Sequence, residues 1–517
     1  MFKRLCFLSI IISSVALFSG CEKPASPPVI TDTVVHSDSN VVASSTTDFK
    51  PAEQAPAIAQ APDAAENTQA PDAAENTQAP TDPADDAANS KKPLMNNNRS
   101  DQDLESEAEK AVASFNATPE IVADAKDYAQ RLNHFTFDFV HQLATDKDMV
   151  ISPYSFYAAI SMTAYGANGD SYDEFVKAMY FDKDRASAVD KFAKLDVWIR
   201  HSGLQKNSKL ELANRVWFTS RLRPYADYAN VLQNKFYSPL QLVSNMKNSV
   251  PKINQWVEQK THDMIKELIK PEDITDDTEM VLVNAIFFKG KWKLQFKKNN
   301  TEQADFYKNE NDKIRVDMMH IPGSTSKSNF KHYKSETYSA VVLPYSSENT
   351  KDTFSMYIIL PKDKDGLSKV VASLTDTEFK KIHDAEWPRF VSVDLKLPKF
   401  TIENRFSGIQ STFTKLGMGK VFDKCSADFS NMGPTNLSGC IGRTYIERII
   451  HKAKIEVDEE GTKAAAATAV MMGVSKSAHA GPSYQIVKFH ADHPFAYAIV
   501  HDASGAILFW GQYTGNK

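Results

Sequence analysis

Glu459-Glu460-Gly461-Thr462-Lys463-Ala464-Ala465-Ala466-Ala467-Thr468-Ala469-Val470 is the stretch on which the fold turns. A run of alanines favours helix, but the strand-like Lys454-Ile455-Glu456-Val457 feeds into it, Gly461 interrupts it, and no apolar face exists for a helix to bury. Read as a strand, it places Thr462, Ala464, Ala466, Thr468, Val470 and Met472 on one face, all uncharged and most of them small, while Lys463 points the other way. Such a segment can enter an existing sheet without burying a charge. The alternative is a flexible Ala-rich loop.

Upstream, Tyr128, Leu132, Phe135, Phe139 and Leu143 recur at three- and four-residue spacing, predicting an amphipathic helix that starts near Ala123. Met280 to Phe288, Ala340 to Leu343 and Met356 to Leu360 read as strands, and Asn254 to Ile269 as a helix. No Pro- or Gly-rich seam divides residues 119–517, so a single mixed domain is expected there.

Several stretches together resemble one family. Glu459 to Thr468 resembles the hinge of inhibitory serpins, and Ile151-Ser152-Pro153-Tyr154-Ser155 resembles their shutter motif. Val283-Asn284 to Trp292 resembles the family's central strand, and Ala427 to Ser430 with Tyr445 to Lys452 the segments before the hinge. Phe489-His490-Ala491-Asp492-His493-Pro494-Phe495 and Gly505 to Gly511 resemble its closing signature. The resemblance runs in the expected order from about residue 125 to 513.

The resemblance implies an α+β serpin fold: a large central β-sheet, two further sheets, eight to nine helices and an exposed reactive-centre loop. It also implies a suicide-substrate protease inhibitor, not an enzyme, with a covalent complex with target serine proteases and, as a further class, cysteine proteases. The hinge would comprise Glu459, Glu460, Gly461, Thr462, Ala464, Ala465, Ala466, Ala467 and Thr468. Ser152, Ser155, Asn284 and His451 match the shutter, and Trp292 matches the breach where insertion begins. Family spacing places the scissile residue seventeenth from Glu459, at Ser475 with Lys476 following; Val474 and Ser477 are the alternatives. Val474 would suit elastase-like or subtilisin-like proteases, and Lys476 trypsin-like ones. No cofactor or metal is implied, and a monomer is expected.

Residues 1–21 begin with Lys3 and Arg4, continue through an apolar run and close on Ser19-Gly20-Cys21, the layout of a secretory signal. Small residues before a cysteine resemble the bacterial lipobox, which implies a lipid anchor on Cys21, and Glu22 after it in place of an aspartate implies by the same resemblance the outer membrane, on its periplasmic or cell-surface side; simple secretion is the alternative. Residues 22–118 carry 17 Asp or Glu against 6 Lys or Arg, with Phe49 and Phe115 as the only aromatics, and read as a disordered linker. Ala61 to Gln69 recurs within it as Ala70 to Gln78, a tandem copy with no hydrophobic face to stack. With a chain net charge of -5, the remaining domain is mildly basic, and no basic cluster argues for nucleic acid. Cys425 and Cys440, the two cysteines of the domain, could form one disulfide or stay as separate thiols.

Three other patterns fail on chemical grounds. Gly473-Val474-Ser475-Lys476-Ser477 ends in serine where a nucleophile elbow needs glycine. Ser244 to Lys247 has a serine-x-x-lysine spacing with no Lys-Thr-Gly partner, and His490 to His493 lacks both helical i, i+4 spacing and a third ligand. An exported serine hydrolase is therefore the remote reading. A non-inhibitory serpin acting as a binding or chaperone protein is the nearer rival, though its usual mark, a hinge spoiled by charge, bulk or proline, is missing.

Overall fold

Met280–Lys291 is buried on both faces from Val281 to Phe288, which is why that stretch is apolar throughout except for Asn284 rather than alternating. Leu282, Ile286 and Phe288 enter the main core, while Val281, Val283, Ala285 and Phe287 enter a second, smaller one. The structure, a computed structural model, describes residues 101–516 apart from residues 144, 277, 349–352, 387–389 and 463–482.

Met280–Lys291 lies inside a seven-stranded sheet, in the order Phe400–Ser407, Ile450–Val457, Gly461–Thr462, Met280–Lys291, Ser208–Thr219 and Leu204–Gln205, with Gln241–Val243 added to Ser208–Thr219. A six-stranded antiparallel sheet runs Met149–Ile151, Ala506–Tyr513, Phe495–His501, Phe354–Pro361, Tyr338–Pro344 and Lys331–Lys334. A four-stranded sheet runs Gln485–His490, Val391–Pro398, Lys313–Ile321 and Glu302–Tyr307. Three sheets and the mixed α+β class match the sequence expectation; the described residues hold ten α-helices rather than eight or nine.

Helix Pro119–Gln142 starts where Thr118 caps the amide of Ile121 and proline occupies the first turn. It buries the anticipated stripe of Tyr128, Leu132, Phe135 and Phe139. Two expectations need correction. The helix read over Asn254 to Ile269 runs instead over Met246–Lys260. It ends because Thr261 leaves helical geometry and His262 and Asp263 adopt positive φ of 48° and 61°.

The second correction concerns the linker assigned to residues 22–118. Asp101–Ala113 forms a helix. Its Ala, Glu and Lys content favours helix, and acidic residues suit its N-terminal end. A composition count over the whole stretch hides this, since the anchoring partners are more than a hundred residues away in sequence. Residues 1–100 lie outside the described residues, and so does the Cys21 expectation.

Candidate functional site

Two strands of the large sheet meet at a seam. Ile450, His451, Lys452 and Ala453 pair in parallel with Val283, Asn284, Ala285 and Ile286. Above this contact the strands diverge and Gly461–Thr462 fills the gap, antiparallel to both neighbours. Thr462 faces Val457 on one side and Gly290 on the other. Gly461 and Thr462 thus form a two-residue strand inside the sheet, at the top of the seam.

The wedge is fixed by close packing. A Cβ on Gly461 would fall 1.9 Å from the carbonyl oxygen of Gly290, so only glycine fits. Thr462 is 1% exposed, and its hydroxyl lies 2.7 Å from that of Tyr345. Tyr345 stacks on Trp292 with ring centroids 4.6 Å apart. The Trp292 indole donates to the carbonyl of Asp458 at 2.9 Å, and its amide donates to the carbonyl of Glu460. The turn back into the sheet is made by Asp458, whose carboxylate accepts the amides of Glu460 and Gly461 at 2.8 and 3.1 Å. Burial pushes the Asp458 carboxyl up.

Glu459 and Glu460 are held by neighbouring elements. The Glu459 carboxylate accepts the Thr301 hydroxyl at 2.9 Å and pairs with Lys399 at 3.0 Å; Glu460 pairs with Lys298 at 3.2 Å. Burial alone would raise the Glu459 carboxyl, but a backbone amide, Lys399 and Thr301 outweigh it and hold it low. Anchored acids thus fix where the chain departs from the sheet.

Beneath the wedge lies a closed polar cluster. Ser152 ends the strand Met149–Ile151 and caps helix Pro153–Tyr165, its oxygen accepting the Ser155 amide at 3.1 Å, with Pro153 in the first turn. The Ser152 hydroxyl donates to the Leu508 carbonyl at 2.6 Å, and its amide donates to Nε2 of His451 at 3.1 Å. That contact makes Nε2 an acceptor, so the ring proton sits on Nδ1, which donates to the Asn284 side-chain oxygen at 3.0 Å. The same oxygen accepts the Ser155 hydroxyl at 2.7 Å, and the Asn284 amide group donates to the Ser155 carbonyl at 2.5 Å and to Asn214 at 3.0 Å. Complete burial depresses the His451 imidazole to about 3, so it is neutral at physiological pH.

The structure therefore brings Ser152, Ser155, Asn284 and His451 together, and gathers Glu459, Glu460, Gly461, Thr462 and Trp292 in a second cluster above them. Ala464, Ala465, Ala466, Ala467, Thr468, Val474, Ser475, Lys476 and Ser477 lie outside the described residues. Cys425 and Cys440 are joined by a disulfide across a sequence separation of 15. His490 and His493 are apart in role: His490 meets Asp394 at 3.0 Å, and His493 contacts the Pro361 carbonyl and Asp492. Asn214 was not singled out from the sequence, although an asparagine within the apolar strand Ser208–Thr219 is the signal for it. Asp458, Tyr345, Thr301 and Lys399 carried no such signal.

Chemically, the arrangement is a sheet with a seam, a strand begun at its top and a small polar lock below. The family model described as "Serpin (serine protease inhibitor)" matches residues 130–515. The chain is 31% identical over 370 residues to the antitrypsin of Bombyx mori, covering 71% of this chain and 87% of that protein. Among solved structures, Serpin48 of Tenebrio molitor superposes with a TM-score of 0.62 at 25% identity, covering 75% of this chain and 98% of the other. Human thyroxine-binding globulin complexed with thyroxine gives a TM-score of 0.64 at 24% identity, over 76% and 99% of the two chains. At that identity the likeness concerns the fold alone.

Proposed function

Because the chain belongs to the serpin family, we propose that it is an inhibitory member that traps proteases by inserting its cut loop into the large sheet. The observation that carries this reading is the buried wedge at Gly461–Thr462, antiparallel to both strands of the seam. Continued residue for residue on insertion, the same register would set Ala464 between Ile455 and Phe288, Ala466 between Ala453 and Ile286, and Thr468 between His451 and Asn284. The two flanking strands already hold the mutual register that an intervening strand would require. On insertion, small uncharged side chains at these places would face the main core, and Lys463, next to Glu456 in the same register, would point to the opposite face.

The protease supplies the chemistry. Its serine oxygen attacks the carbonyl of Ser475, the bond to Lys476 breaks, and the proton from the serine hydroxyl leaves on the new Lys476 amine. Insertion then carries the ester-linked protease away before water completes hydrolysis. Elastase-like, subtilisin-like and trypsin-like enzymes are the target classes proposed for the window Val474 to Ser477. Mixing the purified protein with one member of each, then resolving complexes that survive denaturing gels and sequencing the released N-terminus, tests the reading. Loop cleavage that leaves every protease active would assign the fold a binding role instead.

A lipid on Cys21 is the proposed anchor, with the chain exported to an outer membrane. Labelled palmitate retained by the wild type and lost in Cys21→Ser supports it; equal labelling of both contradicts it.

A further inference from the structure

Helix Asp101–Ala113 lies before the stretch matched by the family model, yet it reaches the large sheet. The Glu105 carboxylate lies 3.4 Å from Arg215 and 2.8 Å from Lys260. Arg215 is 2% exposed and belongs to Ser208–Thr219, the strand paired along its length with Met280–Lys291. Its guanidinium also lies over the Trp256 ring at 4.6 Å. Lys260 ends helix Met246–Lys260, whose Val250, Ile253 and Val257 rest on Val281, Val283 and Phe287 of the same sheet. Both cations therefore ride with one side of the seam.

The other end of the segment is fastened elsewhere. The Val112 carbonyl lies 2.9 Å from Nδ1 of His201, and Phe115 stacks on Trp198 with centroids 6.5 Å apart. His201 and Trp198 belong to helix Arg185–Ser202, which packs on helix Pro119–Gln142 in the main core. A groove of about 460 Å³ runs beside the segment, lined on its side by Glu105, Ala108 and Val112 and on the other by Leu212, Asn214 and Trp256. The segment thus joins the Arg215–Lys260 side of the sheet to helix Arg185–Ser202. A strand added at the seam needs about 4.8 Å of width, which would displace the Arg215 strand and the Lys260 helix relative to the body of helix Arg185–Ser202.

We propose that residues 101–115 are a strap across this shear boundary, and that Glu105 restrains the seam and sets how long the uncleaved loop stays out of the sheet. Opening the seam pulls a carboxylate from a guanidinium almost closed to solvent, a costly step. The proposal rests on the loop-insertion reading given above.

The test uses the full chain, Glu105→Gln, and a variant in which Asp101–Ala113 is replaced by a Gly-Ser segment of equal length. Each is incubated warm without protease, and the fraction still able to trap a protease is followed in time. The Gly-Ser variant should lose activity roughly tenfold faster and Glu105→Gln severalfold faster, leaving an uncleaved product that melts higher than the fresh protein. Unchanged decay in both variants, or decay with loss of the fold and no higher-melting product, overturns the strap. A wild type that traps nothing would instead strike the loop-insertion reading. The strap would then be judged by amide exchange at Val283–Ile286 and Ile450–Ala453, which must quicken in the Gly-Ser variant if it stands and stay unchanged if it does not.

Discussion

Nδ1 of His451 donates to the side-chain oxygen of Asn284 across 3.0 Å, a side-chain hydrogen bond that joins the two strands between which an inserted loop would pass. The bond sits at the register position that Thr468 would occupy on insertion. Closing the sheet and admitting a strand are therefore competing uses of one place.

His451→Leu should remove that bond and leave the buried Ser152 amide without its acceptor, costing about 1–3 kcal/mol. Thermal unfolding of the intact chain should show a lower midpoint, with faster spontaneous loss of inhibition. An unchanged midpoint would mean that the lock contributes nothing to closure.

Stability should fall as pH drops below about 6.5. Burial depresses His451 and His501 to about 3 and His383 to about 4, from an ordinary 6.5. These rings bind fewer protons folded than unfolded, so their stabilisation is complete above 6.5 and is lost progressively as pH falls toward 3 to 4. Burial raises Asp502 to about 6, which offsets part of the loss between its ordinary 3.8 and 6. Urea unfolding at a series of pH values should give lower stability at pH 5 than at pH 7.5 (the probe conditions, roughly one and a half units below and one unit above the ordinary histidine value). A flat profile would contradict the buried neutral histidines.

Thr462→Arg should leave loop cleavage intact and abolish the trapped complex, since the side chain would bury a cation against Tyr345 and Trp292. Gly461→Ala should act in the same direction, because the Gly290 carbonyl it would strike is backbone and cannot swing away. Gel assays of complex against cleaved product measure both; full trapping by Thr462→Arg would show that the wedge does not lead insertion.

Cys425→Ser should lower stability by about 3 kcal/mol in the chain-entropy view of a loop of this length. The loss should appear equally on reducing the wild type, measured by denaturant unfolding. No difference between oxidised and reduced protein would place the bridge outside the cooperative unit.

Much of the site was legible because its residues stand in contiguous stretches. Ser152 and Ser155 sit around a helix start, and Glu459 to Thr462 follow directly on the strand that receives them. Asn284 lies in one long, largely apolar strand, and Trp292 follows directly on its end. What stayed hidden comes from distant chain: Asn214 across a strand pair, Thr301 and Lys399 under Glu459, and Tyr345 against Thr462. Helix Asp101–Ala113 was hidden for the same reason, since its composition is that of a solvated segment and its hold depends on Arg215 and Lys260. The helix read through to Ile269 failed at His262 and Asp263, where no proline or glycine marks the turn.

The melting temperature before and after a single cut between Val474 and Ser477 tests the central claim most directly. Insertion adds a strand hydrogen-bonded on both sides and fills the seam with small side chains, so the cut protein should melt well above the intact one. A cut protein that melts at the same temperature or lower would contradict insertion, and with it the inhibitory mechanism.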